Sequence, residues 1–198
     1  MRFLTPIIAV AAMFSLLTIA PPAFAQRNQG ASVVVLNYEN MITSSDIGRD
    51  MTTKLTQLNQ QMQAELQPEA QTIQQEQQSL QQATTGMTPQ QIRGNSSLNA
   101  RVEALQQRIA QFRTRETTAA RDYEYTRQMT LADFNRQITP MVQGAMESRG
   151  AGIVVDAAVT RLVLPGANIT DDVVQRLNQQ LRSINVTRQT APAAPTGQ

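Results

Sequence analysis

Residues 45–149 constrain the possible fold more than any other part of this chain. They make two long polar segments, each with an apolar stripe, that mirror each other around a Gly/Pro/Asn/Ser break at 86–97. In the first, Ile47, Met51, Leu55, Leu58, Met62, Leu66, Ile73 and Leu80 recur at steps of three, four or seven. In the second, Leu98, Val102, Leu105, Ile109 and Phe112 alternate steps of four and three. That stripe thins through Ala119 and Tyr123, then resumes at Leu131, Phe134, Ile138 and Met141. Sustained 3/4 spacing puts such residues on one narrow helix face, the signature of a coiled coil. Two helices joined by a short break form an antiparallel hairpin, ~60 Å long at 1.5 Å per residue. A hairpin of this kind has too little apolar surface for a globular core, so it reads as an arm rather than a catalytic body.

The N-terminus has the pattern of a secretory signal peptide: Arg2, an apolar run from Phe3 to Ala20, a Pro21-Pro22 break, then Ala23-Phe24-Ala25 as a cleavage site. Cleavage after Ala25 is expected, leaving a soluble exported chain. The alternative is a membrane anchor, since the run approaches the length of a span. The sequence contains no Cys, which excludes disulfides, thiol catalysis and a lipoprotein anchor, and no His, which removes the commonest general base and metal ligand. Asp156 stands alone as a carboxylate at a strand end and reads as a turn or cap. No catalytic, cofactor or metal site is expected. Trp is absent, and without Arg2 the charge balance is 16 basic to 15 acidic residues, which argues against a nucleic-acid partner.

Around the arm the sequence changes character. The β-branched run Ser32-Val33-Val34-Val35-Leu36-Asn37 predicts a buried strand. Ser44 or Ser45 is placed to cap the first arm, which contains Pro68, where a kink or local break is expected. Twelve Gln between 57 and 82 admit a disordered tract, but the regular Leu/Met/Ile spacing favours a helix. The tip is expected at 84–97, with one extra helical turn capped by Thr88. The second arm runs from about Leu98 to Ser148, is interrupted at Pro140, and ends at Gly150 and Gly152. Residues 152–159 predict a second strand and Arg161-Leu162-Val163-Leu164 a third, ended by Pro165-Gly166. A final helix follows, with Val173, Val174, Leu177, Leu181 and Ile184 on one side, then a disordered tail at 187–198. The expected fold class is α+β: a long antiparallel helical hairpin (45–149) inserted in a small β-rich body (26–44 and 150–186). A three-stranded sheet with one short helix buries little and leaves open edges. Both problems are resolved if several chains pool their strands, with Val33, Val35, Ile153, Val154, Val155, Leu162 and Leu164 forming a shared barrel.

The strand Val33-Val34-Val35-Leu36-Asn37, the hairpin, and the ending Gly152-Ile153-Val154-Val155-Asp156-Ala157, Pro-Gly turn, then Asn168-Ile169-Thr170-Asp171-Asp172-Val173-Val174-Gln175-Arg176-Leu177-Asn178 together resemble the Skp (OmpH-like) family of periplasmic outer-membrane-protein chaperones. The resemblance covers roughly 32–186. It implies a homotrimer with a small β-barrel body and three helical arms around a cavity that holds unfolded outer-membrane proteins without ATP. It supplies no catalytic residues. This chain departs from Lys-rich members of the family, Lys54 being its single Lys.

For such a chaperone, Arg93, Arg101, Arg108, Arg113 and Arg115, against Glu103 alone between 77 and 115, make a cationic distal arm. It suits acidic client segments, anionic lipid or lipopolysaccharide; a solvated helix face is the alternative. Tyr123 and Tyr125 are candidates for the cavity wall or for the surface of a kink opposite Pro68. Met51, Met62, Met87, Met129, Met141 and Met146 suit either a promiscuous binding surface or ordinary packing between the helices. A periplasmic coiled-coil scaffold without chaperone activity is the competing reading, and should show unbroken heptads.

Overall fold

A computed structural model describes residues 32–193. The expected signal peptide at 1–25 lies outside the described residues. In chain order these make strand β1 (Ser32–Leu36), helices α1 (Tyr38–Ser44), α2 (Asp46–Ala83), α3 (Pro89–Gly94) and α4 (Ser96–Ser148), strand β2 (Ala151–Asp156) and helix α5 (Thr170–Gln180). Single 3-10 turns lie at Ala157–Val159 and Pro165–Ala167.

The hairpin forms as the stripe requires. The 38 residues of α2 and the 53 of α4 run antiparallel. Ion pairs Arg101–Glu76 and Arg108–Glu69 fix the register: seven residues forward on α4 match seven back on α2, one heptad. At the tip, Thr88 accepts a hydrogen bond from the Gln91 N–H while the Gln91 side chain accepts from the Thr88 N–H, so the expected extra turn is a capping box with Pro89 at its start. Gly150, just beyond α4, has φ +59°, a left-handed conformation that suits glycine and ends the helix.

Pro68 and Pro140 do not break their helices; α2 and α4 are continuous through both. A proline removes one backbone donor and opposes the helix. Buried anchors on either side, Met62 and Ile73 around Pro68 and Ile138 and Ala145 around Pro140, hold the helix in register past it.

The hairpin also serves as a crossover. β1 and β2 pair in parallel, with Val33 opposite Ile153, Val34 opposite Val154 and Val35 opposite Val155. Parallel neighbours cannot be joined by a tight turn; here the chain leaves β1 at Leu36, travels out along α2, returns along α4 and enters β2 at Ala151, beside the start of β1. The expected third strand at 161–164 is absent. That stretch is irregular, and the third position beside β1 is taken at one residue, Asn168, with the Ile169 N–H donating to the Val35 carbonyl at 2.9 Å. Asp156 ends β2 by accepting from the Ala158 N–H, so the chain turns away before it can extend the sheet. Asp156 thus has the expected capping role.

An elbow joins α1 to α2. Ser45 is fully buried and caps α2 through the Gly48 N–H. A Cβ at Gly48 would lie 2.1 Å from the Ile42 carbonyl oxygen, so the bend requires glycine. The core sits at the base of the hairpin and crosses the boundary expected between body and arm. Val34, Leu36 and Met41 pack with Ile47, Met51 and Leu55 of α2, Phe134 and Ile138 of α4, and Ile169, Val173 and Leu177 around α5. Tyr38 meets Phe134 edge-on, with ring centres 6.4 Å apart, and donates its hydroxyl hydrogen to Asn135 Oδ1. Leu181 and Ile184, expected on α5, follow it in an extended segment.

Candidate functional site

Three surfaces stand out. The first is one face of the small sheet. Side chains alternate across strands, so Val34, Leu36 and Val154 face the core, whereas Val33 and Ile153, paired with each other, are 48% and 46% exposed. Beside them in sequence, Val159, Leu162 and Leu164 are 77%, 87% and 71% exposed. Large aliphatic residues left exposed at successive positions make this part of the body a candidate interaction surface. Of the residues expected to build a shared barrel, Val33, Ile153, Leu162 and Leu164 are thus exposed. Val35 is buried within the chain, and Val154 and Val155 are half-buried.

The second surface is the distal hairpin. Among the described residues, α4 buries nothing between Ser96 and Arg121, and α2 beyond Pro68 buries Ile73 and Leu80. Leu98, Val102, Leu105, Ile109 and Phe112 are half-buried along the seam. The candidate arginines separate into two groups. Arg101 reaches Glu76 at 3.0 Å and Ser79, and Arg108 reaches Glu69 at 3.2 Å, so both cross-link the hairpin. Arg93, Arg113 and Arg115 have no carboxylate within 4 Å among the described residues and carry the uncompensated positive charge. The positive charge counted along 77–115 is therefore partly neutralised by α2.

The third surface is an open groove of about 370 Å³ between the helices, where the apolar stripe of α4 thins. Tyr123 lines it with Met62, Leu66, Ala119 and Ala120. Tyr125, two residues on and so about 200° around the helix, lies on another face. Most of the methionines pack: Met51 and Met62 are buried, Met87, Met141 and Met146 half-buried, and Met129 is 42% exposed.

Below this groove the structure reveals what the sequence reading missed. Asp122, Thr126 and Thr130, one turn apart on α4, are buried polar residues where a coiled coil would place apolar ones. Asp122 and Thr126 are met by Arg188, Gln189 and Ala191, from a stretch expected within a disordered tail. The Gln189 N–H donates to Thr126 Oγ1 at 2.8 Å and the Ala191 N–H to Asp122 Oδ1 at 3.0 Å. A signal was available in the D-x-x-x-T-x-x-x-T spacing, a polar stripe continuing one helical face. At the foot of α2, Asp50 accepts from Lys54 and from the Ile184 N–H. Donation from the Lys54 ammonium holds the Asp50 carboxyl below the ordinary carboxylate range. Burial pushes the Tyr38 phenol up. Among the described residues, no group of three or more metal-ligating side chains converges.

The profile of the family described as "Outer membrane protein (OmpH-like)" matches residues 32–177. The chain belongs to the OmpH-like family. A search of curated proteins finds no match. Among solved structures, the crystal structure of a candidate outer membrane chaperone (OmpH-like) from Caulobacter crescentus is similar, with a TM-score of 0.68 and 20% identity, covering 80% of this chain and 90% of that one. At that identity the likeness concerns the fold. This OmpH-like chain therefore shares its hairpin-and-body architecture with a protein of the same family. Among its described residues no helix is long and apolar enough to cross a membrane.

Proposed function

We propose that this OmpH-like chain is an ATP-independent periplasmic holdase. As a homotrimer it encloses unfolded outer-membrane proteins between its helical hairpins and keeps them from aggregating. The observation that carries this reading is the pairing of exposed apolar side chains on the body with a hairpin whose distal half has no partner among the described residues. The first suits burial against other copies through Val33, Ile153, Leu162 and Leu164; the second is then free to surround a client. Holding of this kind rests on many weak contacts presented at high local concentration. It calls for no catalytic group and no cofactor. Arg93, Arg113 and Arg115 would meet acidic client segments, anionic lipid or lipopolysaccharide headgroups, and Tyr123 would meet clients from the inter-helix groove.

A periplasmic coiled-coil scaffold without chaperone activity is the second reading. It is favoured by the continuity of α2 and α4 through their prolines. One experiment separates the two. A urea-unfolded outer-membrane β-barrel protein is diluted into ATP-free buffer with the mature chain, and aggregation is followed by light scattering. A holdase suppresses scattering. Removing two heptads from each helix, residues 67–80 and 97–110, preserves the hairpin register, shortens the arm by about 21 Å and abolishes protection. Failure of the unshortened chain to protect would establish the scaffold reading, and full protection by the shortened chain would move client binding to the body.

A further inference from the structure

Residues 181–193 follow α5 and lie beyond the stretch matched by the family profile, which ends at residue 177. They nevertheless engage both helices of the hairpin. At the foot, the Ile184 side chain is 2% exposed in the core. Both of its backbone polar groups are held by one ion pair on α2: Asp50 accepts from its N–H at 3.0 Å and Lys54 Nζ donates to its carbonyl at 2.7 Å. Higher up, the Arg188 guanidinium spans the hairpin, reaching Glu65 on α2 at 3.1 Å and Asp122 on α4 at 3.3 Å. Beyond it, the Gln189 and Ala191 N–H groups donate to Thr126 and Asp122, one turn apart on α4. Because Asp122 precedes Thr126 and α4 runs from tip to body, the segment climbs away from the body as it proceeds.

We propose that residues 181–193 are a brace that locks the lower half of the hairpin to the body and moves the flexing part of the arm outward, beyond Met62 and Ala119. The polar stripe on α4 is the reason a brace is needed. Asp122 and Thr126 are buried polar side chains on this face, and their acceptor oxygens are engaged by this segment. The brace supplies hydrogen bonds and a two-way ion pair that bind only when α2 and α4 stand at one separation. A buried carboxylate is tolerated only if it is paired, and Asp122 is paired by this segment alone among the described residues. With the brace seated, arm opening begins above the Glu65–Arg188–Asp122 level. With it released, opening begins near Met51 and Phe134, where the core starts.

Hydrogen exchange on the full mature chain, read without any client, tests this independently of the chaperone reading. The Gln189 and Ala191 amides should be protected at least about tenfold over an unstructured peptide, as hydrogen bonds of ordinary strength require. The double variant Asp122→Ala/Thr126→Val removes both acceptors. It should abolish that protection and raise exchange about tenfold across 58–66 and 119–126, leaving Val34 to Leu36 unchanged. Arg188→Gln, which alters no helix, should raise exchange in the same two windows by a smaller factor and decides the matter if the double variant fails to fold. Unprotected Gln189 and Ala191 amides in the unaltered chain would overturn the brace. So would unchanged exchange at 58–66 and 119–126 in the folded variants.

Discussion

The lower and the distal halves of the hairpin carry the same 3/4 pattern and meet different fates. Near the body, Ile47, Met51, Leu55, Phe134 and Ile138 are buried because β1, α1 and α5 close over them. In the distal half the same spacing yields a two-helix seam, where Leu98, Val102, Leu105, Ile109 and Phe112 are no more than half-buried. Amphipathic spacing therefore decides which face turns inward. How deeply that face is buried depends on the elements that arrive from elsewhere in the chain. Local stability follows the density of such contacts, so the base should be rigid and the distal arm mobile.

The sharpest way to break the contrast is to truncate one side chain in each half. Phe134→Ala removes a fully buried ring beside Tyr38 and should cost about 3–5 kcal/mol. Leu105→Ala, in the distal seam, should cost about 1 kcal/mol or less. Urea unfolding of both variants checks this, and equal losses would mean that the hairpin is one uniform rod. Next in size is Gly48→Ala. Its Cβ has no room beside the Ile42 carbonyl, so it should destabilise the base by about 1–3 kcal/mol while leaving exchange at the tip unchanged.

Acid should loosen the base selectively, and by the smallest amount. Asp50 has a lowered folded-state pKa through its Lys54 and Ile184 partners. Its contribution is intact above the ordinary carboxylate value of about 3.9 and is lost as pH falls through the lowered value. Comparing urea midpoints of the native chain and Asp50→Asn from about pH 5 down to about pH 2 should show the difference between them shrinking as acid is added. A constant difference would mean that the carboxylate charge plays no part at this contact.

Much of the fold could be read in advance because it depends on local chemistry. The stripe of α2, the Ser45 and Thr88 caps, the stop at Gly150 and the parentage of both strands all follow from spacing, turn residues and β-branching. What escaped the sequence reading depends on distant partners. Leu162 and Leu164 have strand-like character, yet Asp156 turns the chain and no strand edge among the described residues receives them. Pro68 opposes the helix, yet Met62 and Ile73 hold it from both sides. Asp122 and Thr126 look like a gap in the stripe, because what fills the gap is backbone from a segment rich in Thr, Ala and Pro. The candidate arginines show the same limit: sequence places Arg101 and Arg108 on a charged arm, but only the hairpin register brings them to Glu76 and Glu69.

Whether the distal arms can surround anything depends on whether the rigid base joins other copies through its exposed apolar face. Multi-angle light scattering of residues 26–198 at micromolar concentration measures this directly. The proposed assembly predicts a single species with three times the mass of one chain, and Ile153→Asp, which places a charge on that face, should dissociate it into folded monomers. A monodisperse, fully folded monomer for the unaltered chain would contradict the proposal and leave the apolar face without a partner.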